Sequence, residues 1–284
     1  MRSWMMLMLG AGLAAGCGDK DTETTDSGDI NGGDSGDTDT DVEPLSDYAS
    51  GQYRIGTLEL VSDLTEGADV DGDGEIDNKL PTVLNLAATI TGEPLDITSL
   101  NKVLAADIAD GDLILLTELA HAEAVLTFDA LLGIDDKGSL SVDPTSYASD
   151  GTPNSRFSGA FTSQTDFSAT SERIELPFPI IIGEPAIQVP MELAVVSGAV
   201  DAKANSGLIG GAVPVDDFMT QVIEEIIPTG DDYNPEAYLD MTRKELMDFI
   251  YEFATGETVA DIELEDGRKA ISAAVRYEAA AASF

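Results

Sequence analysis

From Phe157 to about Ala204 apolar and polar residues alternate, and the spacing of a helix is absent. Stretches such as Phe157-Ser158-Gly159-Ala160-Phe161-Thr162 and Ile187-Gln188-Val189-Pro190-Met191-Glu192-Leu193 send successive side chains to opposite faces. Each can therefore bury one face and wet the other. Proline and glycine punctuate the run, which predicts an antiparallel region of about five or six strands in a sandwich or open barrel. Tyr53 to Leu60 alternates in the same way and reads as a first strand, and the apolar runs Asp112–Leu119 and Ala122–Leu132 read as two more.

Helical signals flank this β-rich centre. Leu80-Pro81-Thr82-Val83-Leu84 opens a short helix with proline in the first turn, where its missing N–H is harmless. Thr98 or Ser99 caps a second, with Leu100, Val103, Leu104 and Ile108 on one face and Gly111 beyond its end. Val215, Phe218, Met219, Val222, Ile223 and Ile226 form a broad apolar face that stops at Pro228. Thr242-Arg243-Lys244-Glu245 is a capping box leading Leu246, Phe249, Ile250 and Phe253 to a stop at Gly256. The expected class is α+β, an antiparallel β-rich core with about four flanking helices.

Acidic residues number 54 against 14 lysines and arginines, for a formal net charge of -40. Such a surface repels phosphate backbones, so nucleic acid is excluded as a partner, and it attracts divalent cations. The single cysteine, Cys17, rules out a disulfide within the chain and a thiolate zinc site.

One acidic stretch has ligand spacing. In Asp69-Val70-Asp71-Gly72-Asp73-Gly74-Glu75-Ile76-Asp77-Asn78-Lys79-Leu80, acids stand at positions one, three, five and nine and a glycine at six. This repeats the first nine positions of an EF-hand loop, curling alternate oxygens toward one point while Gly74 permits the turn. The expected ion is Ca2+, held by Asp69, Asp71, Asp73, Glu75 through its carbonyl, and Asp77. Leu80 stands where the bidentate glutamate of an EF-hand belongs. The loop is therefore more similar to the Asp-rich loops of extracellular bacterial modules, dockerin-like or thrombospondin-type, with affinity on the order of 10⁻⁴ to 10⁻³ M. Asp261, Glu263 and Glu265, before Gly267, echo the spacing as a weaker second loop or an acidic surface turn.

At the N-terminus Arg2 precedes the apolar run Trp4–Leu13 and small residues, the layout of a secretory signal. Leu13-Ala14-Ala15-Gly16-Cys17 resembles a bacterial lipoprotein signal, which implies cleavage after residue 16 and lipid on Cys17, attaching the chain to a membrane. Gly18 stands where the inner-membrane retention signal has aspartate, which points to the outer membrane. Residues 17–48 are rich in Asp, Thr, Gly and Ser and read as a disordered acidic tether. Residues 49–284 then form a single domain.

Catalytic motifs are scarce. His121 is the one histidine and reads as structural or surface. Ser99-Leu100-Asn101-Lys102 matches a short serine–x–x–lysine pattern without its Lys-Thr-Gly companion, and Ser99 has a capping role. There is no Gly-x-Ser-x-Gly elbow, phosphate loop or dinucleotide fingerprint. The acidic tail, Asp69–Leu80, Gly111-Asp112-Leu113-Ile114-Leu115-Leu116 and Ser206-Gly207-Leu208-Ile209-Gly210-Gly211 together resemble a group of myxobacterial-type surface lipoproteins with an Asp-rich calcium loop, a group that brings no established activity. The expectation is a non-catalytic calcium-binding lipoprotein of the outer membrane or cell surface, with a protein or envelope-polymer partner. A hydrolase using paired carboxylates and a carrier of a small apolar ligand in the β-region stay open as alternatives.

Overall fold

A computed structural model describes residues 50–92, 95–122, 124–178 and 186–284. The signal, Cys17 and the tether lie outside the described residues. The strands are β1 (Ser50–Leu60), β2 (Leu115–Ala122), β3 (Val125–Asp136), β4 (Ser139–Val142), β5 (Arg156–Phe161), β6 (Asp166–Phe178), β7 (Ile187–Val200), β8 (Ala204–Pro214), β9 (Ile262–Glu263) and β10 (Lys269–Ala281). The helices are α1 (Leu80–Thr91), α2 (Ile97–Asp110), α3 (Val215–Phe218), α4 (Glu224–Ile226) and α5 (Arg243–Ala254), with a π-helical turn, Met219–Ile223, joining α3 to α4.

The α+β class and antiparallel β-rich core are as expected, but the sheet is neither a sandwich nor open. Strands follow the order β1-β2-β3-β5-β6-β7-β8-β10, and β1 pairs with β10 as well as β2, closing the ring. Tyr53 lies opposite both Thr117 and Ala281. The register with β10 shifts between Ile55 and Thr57, so Gly56 is the bulge residue that lets β1 bend into both partners. All neighbouring pairs are antiparallel, so the helices, in the β1–β2 and β8–β10 connections, belong to one end of the barrel.

Among the described residues between Phe157 and Ala204 there are three strands, β5 to β7, not five or six. Pro177 sits inside β6 and Pro190 inside β7. The cap of α2 is Asp96, whose carboxylate accepts from Ser99 N–H at 3.1 Å and Ser99 Oγ at 2.7 Å. Ser99 is thus a donor to the cap. Asn101, one turn on, pairs its side-chain amide with both backbone groups of Leu60 (2.8 and 2.9 Å), docking α2 on the end of β1. The Thr242–Glu245 capping box is present in both directions, and α5 ends at Ala254, before Gly256.

The barrel interior is filled by large side chains. Phe128 sits 5.7 Å from Phe157, 5.8 Å from Phe167 and 5.7 Å from Tyr277, ring centre to ring centre. Room for these rings comes from glycines on the facing strands. A Cβ on Gly198 would meet Phe167 Cζ at 2.9 Å, and one on Gly207 would meet Tyr277 Oη at 3.0 Å and press on the Ser197 carbonyl. Gly207→Ala is therefore expected to lower stability by about 1–3 kcal/mol, from overpacking. Urea unfolding should show it as a lower midpoint, and a midpoint equal to wild type would contradict the packing.

Candidate functional site

The acidic segment leaves β1 at Leu60 and reaches α1 at Leu80, and it closes through an antiparallel bridge between Ala68 and Asp77. Asp77 N–H donates to the Ala68 carbonyl at 2.9 Å. Within this closure, backbone N–H groups hold the carboxylates. Gly72 and Gly74 donate to the two oxygens of Asp69 at 2.8 and 3.1 Å. Asp73 N–H donates to Asp71 at 3.1 Å, and Glu75 N–H to Asp73 at 2.7 Å. Such turns need left-handed backbone, and Gly72 and Gly74 supply it with φ of +80° and +91°.

Oxygens of Asp69, Asp71 and Asp77 lie within 4.8 Å of one another, a group that could hold a metal ion. The group does not take in the carboxylates of Asp73 or Glu75. Asp77 is its buried member at 9% exposure, with one oxygen accepting from Val70 N–H at 2.9 Å. Burial pushes the Asp77 carboxyl above its ordinary range, against the pull of that N–H, and the charges of Asp261, Asp71 and Asp73 push it further. A carboxylate disfavoured in this way gains from a neighbouring cation.

Apolar contacts determine where the loop lies. Val70, at position two, packs with Ala212, Ile262, Leu264 and Ala270 in a small cluster separate from the main core. Gly210 on β8 lets the loop approach, since a Cβ there would meet the Ala68 Cβ at 2.5 Å. Gly67 is required as well, because a side chain would strike the Asp77 carbonyl. Asn78 ties the base together: it is 1% exposed, and its Nδ2 donates to the carbonyls of Val61 (2.9 Å), Asp63 (3.0 Å) and Glu66 (3.2 Å). Beside the loop an open cleft of about 560 Å³ includes Ile76, Ser197, Ser206 and Arg276 in its lining. Arg276 pairs with Glu66 across 2.8 Å.

The second acidic stretch runs from Asp261, just ahead of β9, through Glu263 in β9 to Glu265 in the turn of the β9–β10 hairpin. Both oxygens of Asp261 are taken by Ser272, from N–H at 3.0 Å and Oγ at 2.6 Å. Glu263 and Glu265 are exposed, while Ile262 and Leu264 between them point into the apolar cluster. These three acids do not converge with ligand spacing. His121 is half-buried at the end of β2 with its ring edge-on to Phe161 at 5.4 Å.

Fold and site together define a closed antiparallel barrel with an acidic, cation-competent loop on its outer wall. Protein-family models, curated proteins and solved structures give no match to this chain.

Asn78, Val70, Gly210 and Ser272 were not singled out by sequence reasoning. Their roles come from partners distant in the chain, and the one local signal was Asn78 adjoining the ninth loop position. Asn78→Ala strands three carbonyls and is expected to lose about 2–3 kcal/mol. Asn78→Asp, which sets an acceptor against three acceptors, should lose more. Denaturant melts of both variants check this, and an aspartate variant as stable as wild type would contradict it.

Proposed function

We propose that the protein is a non-catalytic, calcium-binding lipoprotein of the outer membrane or cell surface, in which the ion clips the β1–α1 connection to the barrel wall. The observation that carries this reading is the Asp69–Asp71–Asp77 group, three carboxylates held toward one another by their own loop backbone. Calcium suits it better than magnesium, because calcium accepts six to eight oxygens in flexible geometry. The remaining ligands would come from Asp73, the Glu75 carbonyl and water. The ion would relieve the burial of Asp77 and the mutual repulsion around it.

Anchoring rests on Cys17 and on the resemblance of the N-terminal residues to a lipoprotein signal. Lipid there would attach the protein to the membrane through the acidic tether that precedes β1 in the chain. The open cleft beside the loop is the surface on which a protein or envelope polymer would rest. Among the described residues no helix is long and apolar enough to cross a membrane.

Calorimetry with calcium is expected to show binding that the double variant Asp71→Ala, Asp73→Ala abolishes. Unchanged binding in that variant would sink the loop assignment. Separately, labelled palmitate fed to cells should enter the wild-type protein and not Cys17→Ala. Equal labelling would remove the lipid anchor from the reading and leave the calcium loop untouched.

A further inference from the structure

β5 begins at Arg156, but its neighbours run on, β3 to Asp136 and β6 to Phe178. Beyond the start of β5, β3 pairs with the short β4 from Gly133 onward, and no strand there hydrogen-bonds to both β3 and β6. The connection from β4 to β5 fills the gap with serine hydroxyls. Ser155 Oγ accepts from Glu175 N–H at 2.9 Å and donates to the Glu175 carbonyl at 2.8 Å, while its own carbonyl accepts from Ala130 N–H at 2.9 Å. Ser146 Oγ accepts from Leu132 N–H at 2.8 Å. These serines thus satisfy backbone groups of Ala130, Leu132 and Glu175 that face the gap.

At this gap lies a cavity of about 100 Å³, lined mainly by apolar side chains such as Ile55, Leu58, Leu115, Ala130, Leu176 and Ile209, with Ser155, Asn154, Glu175 and Gln188 also in its lining. Ala130 is the small residue in an otherwise bulky inward row, two places from Phe128 on one side and Leu132 on the other. Protein interiors leave few voids larger than a water molecule, so a space of this size in so tightly filled a barrel stands out. A purely apolar cavity of about 150 Å³, somewhat larger than this one, stays dry and admits benzene. An eight-stranded barrel is just wide enough to hold one small ligand.

We propose that this cavity is a binding site for one small apolar molecule, about the size of a single six-membered ring, entering through the gap between β3 and β6. The site is independent of the acidic loop and of any ion there. The test is a titration of the full-length protein with benzene in the presence of EDTA, read by methyl NMR. In wild type, the methyl signals of Ile55, Leu58, Leu176 and Ile209 are expected to shift saturably. In Ala130→Leu, which fills the space, the shifts should be lost while the spectrum stays dispersed. Leu115→Phe fills the same space from the β2 wall and serves if the first variant does not fold. Absence of shifts in wild type, or wild-type shifts in either folded variant, would overturn the proposal. Neither result bears on calcium binding, which EDTA removes from the experiment.

Discussion

The pairing of β1 on both of its edges is the interaction on which the rest of this protein depends. A strand at a sheet edge exposes a row of unpaired N–H and C=O groups, and closing the ring removes that edge. Here closure joins residues as far apart as Tyr53 and Ala281, and it succeeds because Gly56 takes up the bulge. Once the ring is closed its interior volume is set, and the side chains must fit it. Phe128, Phe157, Phe167 and Tyr277 occupy one region, and Gly198 and Gly207 give up their own volume to admit two of these rings. Beside the short β5 the same constraint is met differently, by backbone-satisfying serines that leave space behind them.

The outer wall follows from this. A closed barrel ordinarily wets its outer face, but on β8 and β10 Ala212 and Ala270 are fully buried. Val70 from the acidic loop and Ile262 and Leu264 from the hairpin turn cover them. The loop therefore has an apolar foot of its own and a polar head whose carboxylates have few places to go. Without the foot, mutual repulsion among Asp69, Asp71 and Asp77 would favour an extended segment. Burial raises the proton affinity of Asp77, and the charges of Asp261, Asp71 and Asp73 raise it further.

Local chemistry was legible in the sequence and long-range pairing was not. The Thr242–Glu245 capping box, Pro81 in the first turn of α1 and Gly111 after α2 involve residues within a few positions of one another, and each is where its pattern places it. The cap of α2 was misplaced because Asp96, Thr98 and Ser99 are all capping types, and the choice depends on where the backbone enters helical φ. Strand number was overestimated because proline and glycine were read as punctuation, whereas Pro177 lies within β6 and Gly198 within β7. Closure could not be read at all, since alternation says which face is buried but not which strand is the neighbour. In the loop, the spacing of Asp69, Asp71 and Asp77 was legible because it is local. The parts that hold the loop in place, Asn78 and Gly210, meet partners far along the chain or across the barrel wall.

Ser272 connects the two acidic turns. Its N–H and hydroxyl donate to the two oxygens of Asp261, and its carbonyl and hydroxyl oxygens accept from Lys79 N–H, each at 2.9 Å. Lys79 follows Asn78 and directly precedes α1, so the exit of the acidic loop is tied through one serine to the start of the β9–β10 hairpin. Asp261 thereby contributes in two ways that ligand spacing alone does not reveal. It orients the serine that receives the end of the loop, and its charge raises the proton affinity of Asp77. The similarity between Asp69–Gly74 and Asp261–Gly267 is therefore more than repetition of composition. The first turn gathers carboxylates, while the second gives one carboxylate to Ser272 and uses Ile262 and Leu264 as apolar cover. Asp261, at the start of the hairpin, thus acts on the acidic loop through position and charge, with no ligand contact between them.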